Sequence, residues 1–227
     1  MLTYVYDGTL PGLLTVCALA RESGCAADAV ATEVCGQPLL LGETREAVTD
    51  ESRADALVDE VRSRAGARTV RNILYCHLSE DTTVLPDVTE YVRLACERGR
   101  KVNAWHANSA VAHVLETARK VGCEVHRFTG IVRFRELRDG TFFAPYEPDY
   151  HITPLLALHF TKRLATQEWV IYDVWRDAGV RWNTRELLQV TAGDELRDAL
   201  RTRGGMYDAL ESEKERVVQS VWQRYFT

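Results

Sequence analysis

The sequence has no run of about 18 apolar residues, so no segment reads as a membrane-spanning helix. Residues 1–7 (MLTYVYD) also lack the basic start and long apolar core of an export signal. The expected location is therefore cytoplasmic, with no membrane partner. The six cysteines (Cys17, Cys25, Cys35, Cys76, Cys96 and Cys123) include no Cys-x-x-Cys pair, which removes the local signature of a zinc ribbon or knuckle. A Cys-x-x-x-Cys-x-x-Cys triplet is missing too, so the chain does not itself hold a radical-SAM iron–sulfur cluster locally. Reduced, mostly buried thiols are expected in place of three disulfides. A Gly-rich phosphate loop, a nucleophile elbow and a His-Glu-x-x-His zinc helix are all absent, and no cofactor is implied. There is no internal repeat and no low-complexity linker.

What is present is an ordinary globular balance. With 227 residues, 46% of them hydrophobic and 27% charged, the chain can bury a core as one large domain or two small ones. The net charge of −5 argues against binding nucleic acid by global charge alone. Its distribution is uneven, however. Residues 119–138 carry six Lys or Arg (119, 120, 127, 133, 135 and 138) against two Glu, a local excess of four positive charges. This stretch is either a solvated face or a patch that binds phosphate or carboxylate.

Periodicity outlines the elements. Residues 2–6 alternate like a short strand, which Asp7-Gly8 breaks. Pro11 opens a helix to about Ser23, and a loop containing Gly36-Gln37-Pro38 follows. Thr49-Asp50 caps a helix through Ala54, Leu57, Val58 and Val61. Helices are expected over 69–78 and 86–98, and another from Asn108-Ser109 with the stripe Val111, Val114, Leu115, Ala118, Val121 and Val125. In the second half, strands at 131–137 and 141–147 flank Asp139-Gly140, a two-residue hairpin signal that sets Arg133 opposite Tyr146 and Leu137 opposite Phe142. Pro145 assigns its strand to an edge or a bulge. Thr153 and Pro154 read as N-cap and first residue of a helix to about Leu164. Residues 168–175 and 180–182 form a second hairpin. The fold class is α+β: a helical N-terminal half packed against an antiparallel sheet built from two β-hairpins with an intervening helix. Residues 1–182 are expected to form a single α+β domain and 183–227 a helical C-terminal extension.

Several polar residues interrupt apolar patterns in ways that mark a site. Advancing about 100° per residue along the 154–164 helix places Leu155, His159, Arg163, Leu156 and Phe160 in order around one arc. His159 and Arg163 then sit mid-face, either satisfied by acids and carbonyls or gripping an anion. They are expected to approach the 124–133 segment or Asp173 as one polar cluster. Glu124, His126 and Arg127 fall where the long helix gives way, with Gly130 as its C-terminal break. They read as an ion pair, or as acid/base groups beside an anion-holding arginine. Ile131, Arg133, Arg135 and Leu137 share a strand face that is either solvated or a phosphate grip with Tyr146 for stacking. Asp173 is a counter-ion for Arg163 or Arg176. The catalytic candidates are Glu124, His126, His159 and Asp173, and the nucleic-acid or anion-binding candidates are Arg127, Arg133, Arg135, Arg163 and Arg176. No metal site is expected.

These residues also carry a resemblance. It begins at Tyr6-Asp7-Gly8-Thr9 and includes Gln37-Pro38, Thr49-Asp50 and Leu78-Ser79-Glu80. It is most specific at Glu124-x-His126-Arg127-x-x-Gly130-x-x-Arg133-Phe134, followed by Arg135-Glu136-Leu137 and Asp139-Gly140. It continues through Pro148-Asp149, His159-Phe160, Arg163 and Trp169-x-Ile171-x-Asp173-x-x-Arg176. In these motifs the chain resembles an uncharacterised family of bacterial DNA-metabolism and DNA-repair proteins. Members accompany a radical-SAM protein of DNA modification or repair, and related domains are joined to uracil-DNA-glycosylase-like domains. Ile131 stands where the family has an aromatic residue. The family also continues beyond a segment like 222–226 into a basic portion, so the C-terminal extension is expected to be shorter than usual. The resemblance implies a radical-SAM partner and binding of single-stranded or damaged DNA, or of a modified nucleotide. Two other classes stay open. One is an enzyme acting on a nucleobase or phosphodiester, with Glu124 or Asp173 activating water and His126 or His159 moving a proton. The other is a scaffold for the radical-SAM protein.

Overall fold

The computed structural model describes residues 2–24, 27, 29–32 and 43–191. The expectations on the Gly36-Gln37-Pro38 loop, on Cys25 and Cys35, and on residues 192–227 lie outside the described residues. Contacts divide the chain into two units, Met1–Gly122 and Cys123–Thr227.

In the first unit, strand β1 (Leu2–Tyr6) lies between β2 (Ala29–Thr32) and β3 (Glu43–Glu46) in a parallel three-stranded sheet. The sequence pointed only to β1. Strand β3 is Glu-Thr-Arg-Glu and fully exposed, so it pairs through its backbone and shows no apolar alternation. The turn after β1 is organised by Asp7. Its carboxylate accepts from Thr9 N and Oγ1 at 2.9 and 2.7 Å and from Thr49 Oγ1 at 2.8 Å. Desolvation works against the Asp7 carboxylate, but these hydrogen bonds outweigh it and hold its pKa below the ordinary 3.8. Thr9 then caps α1 (Leu10–Glu22) by accepting from Gly12 N.

Asp50 caps α2 (Glu51–Ala65) as expected. Gly66, at φ +90°, separates α2 from α3 (Ala67–Leu78). Helix α4 (Leu85–Arg98) follows, then α5 (Ser109–Ile131), whose first turn is capped by Asn108 Oδ1 on Val111 N at 3.0 Å. Leu13, Val16, Val61, Val88, Tyr91 and Val92 make the centre of this unit's core. Cys17, Cys76 and Cys96 are free and buried, and Cys123 is free and exposed. No helix among the described residues is long and apolar enough to cross a membrane.

The second unit contains β4 (Arg135–Glu136), β5 (Phe142–Tyr146), α6 (Thr153–Arg163), β6 (Trp169–Asp173), β7 (Ala178–Trp182) and β8 (Leu187–Val190). The sheet order is β4-β5-β6-β7-β8, with α6 packed on β6 and β7. The fold class is α+β, and both hairpins form. The sheet is mixed rather than antiparallel, because β5 and β6 pair in parallel from Phe142↔Trp169 to Tyr146↔Asp173. Helix α6 supplies the long crossover that parallel neighbours require. Pro145 lies beyond the two residues of β4, where β5 has a neighbour on one side only.

Three local expectations are corrected. Helix α5 passes through Gly130 to Ile131, so the strand expected at 131–137 shrinks to β4. A helical glycine costs only about 1 kcal/mol, which Phe128 offsets by packing edge-on against Tyr146 at 5.3 Å. The first hairpin is shifted by one residue, with Glu136 opposite Phe142 and Arg135 opposite Phe143. Its loop has three residues, with Gly140 at φ +85° and its N–H donating to Leu137 O at 2.9 Å. Finally, Ile152 rather than Thr153 occupies the N-cap of α6, and Thr153 Oγ1 instead pairs with Tyr146 OH at 2.6 Å. Where the helical C-terminal extension was expected to begin, the chain forms β8.

Candidate functional site

Two buried carboxylates and two arginines hold one short segment of backbone in the second unit. Glu124, on α5, is 5% exposed. Its Oε1 accepts from Asp149 N at 3.0 Å and its Oε2 from Tyr150 N at 2.9 Å. One helical turn on, Arg127 donates from Nη2 to Glu124 Oε1 at 2.9 Å. From the other side, Arg176 donates to Pro148 O at 3.1 Å and to Asp149 O at 2.9 Å. Asp173, at the end of β6 and 0% exposed, fixes that arginine through Nη1 at 2.9 Å. Asp173 Oδ1 also accepts Trp175 N and Arg176 N at 3.0 and 3.1 Å, which shapes the β6–β7 turn. Charge is tolerable at these buried positions because nearly every lone pair meets a donor. Asp173 thus pairs with Arg176, one of its two expected partners.

These bonds limit what the carboxylates can do. A general base needs a free lone pair facing a substrate proton, whereas Glu124 and Asp173 spend theirs on backbone N–H and guanidinium groups. Tyr146, beside them, is buried against Phe128, and burial pushes its phenol upward from the ordinary range. It is not available to stack beside Arg133. Arg133 is exposed and Arg135 half-buried, but only Arg135 lies in a strand, so the expected Ile131–Leu137 face does not exist. His126 is exposed and stands apart from the carboxylates' bonding. No group of three His, Cys, Asp or Glu among the described residues is placed to hold a metal ion.

The α6 phasing differs from expectation. Its buried residues are Thr153, Leu156, Ala157 and Phe160, an arc from about 100° to about 200° beyond Leu155. His159 is therefore on the flank and half-buried, and Arg163 is exposed. Centring the expected face between Leu155 and Phe160 turned it the wrong way, because small Ala157 and Thr153 face inward beside Leu156 and Phe160. His159 packs edge-on against Phe160 at 5.1 Å, with its Nε2 buried and unpartnered. Arg163 does not reach Asp173 or Glu124. It lines a recess of about 230 Å³ instead, with Thr129, Gly130, Val132, Phe134, Phe142, Phe160, Leu164 and Gln167. Phe134 meets Phe160 at 4.9 Å and Trp169 at 6.1 Å, both edge-to-face, so three aromatic rings form a fixed cluster beside the recess.

The sequence reading therefore named Arg163 and missed its companions Phe134, Phe142 and Gln167. Phe134 follows Arg133 in the most specific motif, but its inward direction depends on α5 ending at Ile131. Gln167 lies in the α6–β6 loop, where no periodicity operates. Trp175, next to Asp173, is 72% exposed at the β6–β7 turn and was also passed over.

Residues 83–227 match the family described as a domain of unknown function, DUF4130, and the chain belongs to that family. No curated protein matches the chain.

Proposed function

We propose that this DUF4130 member is a cytoplasmic DNA-metabolism protein that binds single-stranded or damaged DNA, or a modified nucleotide, beside a radical-SAM partner. The observation that carries the binding reading is the recess lined by Phe134, Phe142 and Phe160 together with Arg163 and Gln167. Aromatic faces accept any base by stacking, at about 1–3 kcal/mol per base. The guanidinium of Arg163 complements phosphate, and the amide of Gln167 both donates and accepts toward a base edge. Arg127 and Arg133 are exposed on the same unit, Arg127 being already paired with Glu124. The radical-SAM partner comes from the resemblance in the motifs around Glu124 and Asp173. Commitment of both carboxylates to backbone and arginine favours binding over catalysis, so Glu124 and Asp173 act by positioning.

The test is anisotropy of a labelled single-stranded oligonucleotide, intact or carrying an abasic site, across a salt series with and without the radical-SAM protein. Binding should weaken with salt at a log–log slope of about −0.7 per phosphate contacted. Arg163→Ala and Gln167→Ala should each reduce affinity while leaving the unfolding midpoint in place. Absence of binding at low salt, with the partner present, sinks the reading. Pull-down of the partner without DNA affinity selects the scaffold, and product formation that Glu124→Gln or His159→Ala abolishes selects the enzyme.

A further inference from the structure

The first unit has a basic groove of its own, which shares no lining residue with the recess. Residues 61–79 contain Arg62, Arg64, Arg68 and Arg71, and residues 98–115 contain Arg98, Arg100 and Lys101, with no acid in either stretch. In a chain of net charge −5 that is a marked segregation. Arg62 and Arg64 are paired with Asp59 and Glu60. Arg68 and Arg71 are exposed and meet no carboxylate among the described residues.

Helices α3 and α5 bring these charges to a built concavity. Arg68, Arg71, Asn72 and Tyr75 lie at i, i+3, i+4 and i+7 on α3, and Leu115, Ala118, Arg119 and Gly122 repeat that spacing on α5. Together they line a recess of about 330 Å³, at the lower end of the sizes that take small ligands. Small residues keep it open, since a Cβ at Gly122 would sit 3.2 Å from Tyr75 Cε2. The α3 wall is pinned from beneath, where Asn72 Nδ2 donates to Tyr91 OH at 3.0 Å and to Asn103 Oδ1 at 3.1 Å. Arg119 is neutralised by Glu116 through two bonds of 2.9 and 2.8 Å. The unbalanced charge is therefore that of Arg68 and Arg71. Arg71 also lies over the Tyr75 ring, 6.0 Å from its centroid.

We propose that the α3–α5 groove binds a phosphate ester of a nucleotide, with the phosphate between Arg68 and Arg71 and the organic part against Tyr75. Two forked guanidinium groups suit phosphate oxygens better than a single point charge does. The phosphate can come from a free mononucleotide or from the backbone of a strand. The side chain of Arg100, which follows α4, reaches toward Gly66 just before α3, its Nε 3.6 Å from where a Gly66 Cβ would stand, and it offers a strand the next contact. This inference does not rest on the recess around Arg163.

The experiment is calorimetric titration of the full-length protein at low salt with inorganic phosphate, with thymidine monophosphate and with an oligothymidylate, for four variants. Both arginines are exposed, so Arg68→Ala/Arg71→Ala should keep the unfolding midpoint and lose at least tenfold in affinity for the phosphate esters. Tyr75→Leu should weaken the nucleotide more than inorganic phosphate. Arg100→Ala should weaken only the oligomer if the source is a strand, and leave all three ligands unchanged if it is a free nucleotide. Arg163→Ala should leave thymidine monophosphate binding at the groove intact, which separates this site from the recess. With Arg163→Ala in place to silence the recess, no binding of any of the three ligands, or binding that survives the double substitution, overturns the proposal.

Discussion

Replacing Glu124 with Gln separates a structural carboxylate from a catalytic one. Glu124 accepts three hydrogen bonds, two of them from the backbone of Asp149 and Tyr150. Its ion pair with Arg127 adds little, because the Arg127 side chain is 56% exposed and screened. The two backbone bonds go to a charged acceptor that is itself buried, and such bonds contribute about 1.5–3 kcal/mol each. The Gln amide keeps one oxygen, which can retain the Asp149 and Arg127 bonds, but it turns an NH₂ toward Tyr150 N–H. One bond is lost and one buried donor is left facing another, which costs about 2–3 kcal/mol. Glu124→Ala removes both backbone bonds and should cost about 3–5 kcal/mol. Urea unfolding reads the total, and amide hydrogen exchange at Asp149 and Tyr150 reads its location, since only those protons should lose protection. If Glu124→Gln leaves both the midpoint and that protection unchanged yet abolishes nucleic-acid binding or turnover, the positioning role is refuted and Glu124 returns to the chemistry.

Other outcomes follow from single contacts. Gly130→Ala should stabilise the protein by about 0.5–1 kcal/mol in a thermal melt, because Gly130 is helical and a Cβ there meets nothing within 4 Å; destabilisation would restore Gly130 as a helix break. Gly12→Ala should cost about 1–3 kcal/mol, since its Cβ would fall 2.3 Å from Asp7 Oδ1 and displace the carboxylate from Thr9 and Thr49. Asp7 has a depressed folded pKa, so the stability it adds is present above the ordinary 3.8 and is lost as pH falls through the folded value. Asp7→Asn should therefore flatten that part of the acid-unfolding curve. Burial pushes the Cys17 and Cys76 thiols from 9.0 up to about 12, so the stability from burying them neutral is whole below pH 9 and is lost as pH rises toward 12. Among the four described cysteines, alkylation of the native protein near pH 8 should mark Cys123 first and spare Cys17 and Cys76 until unfolding.

Much of the fold was legible because its signals are local. Pro11, Asp50 and Asn108 each act within one turn of their own helix, and each helix starts within two residues of its expected place. Asp139-Gly140 marked its hairpin for the same reason, although a glycine at positive φ fits either a two- or a three-residue loop. What escaped depends on distant partners. Strand β3 has no apolar pattern and exists through pairing with β1. The last turn of α5 survives Gly130 because Phe128 meets Tyr146, eighteen positions along the chain. The parallel pairing of β5 with β6 is a choice between hairpin neighbours that no window of sequence contains.

The candidate site divides along the same line. Sequence alone placed Asp173 on an inward strand face with Arg176 as a possible counter-ion and paired Glu124 with Arg127, and all four do sit inside one bonding network. Their role could not be read there, because Glu124 and Arg176 are occupied by backbone atoms of residues 148–150, about 25 positions away from each, and Asp173 by the N–H groups of Trp175 and Arg176. A backbone amide has no sequence signature, so a carboxylate satisfied by two of them looks like a carboxylate waiting for a substrate. The α6 reading failed for a complementary reason. Side-chain hydrophobicity gave weight to Leu155, but the face that α6 buries holds the small residues Ala157 and Thr153 beside Leu156 and Phe160. Once that face is fixed, Arg163 must turn outward, away from the acids and toward Phe134 and Phe142. The motif around Glu124 and Asp173 then holds the 148–150 segment, while Arg163, Gln167 and the aromatic edge of the recess lie outside that bonding network.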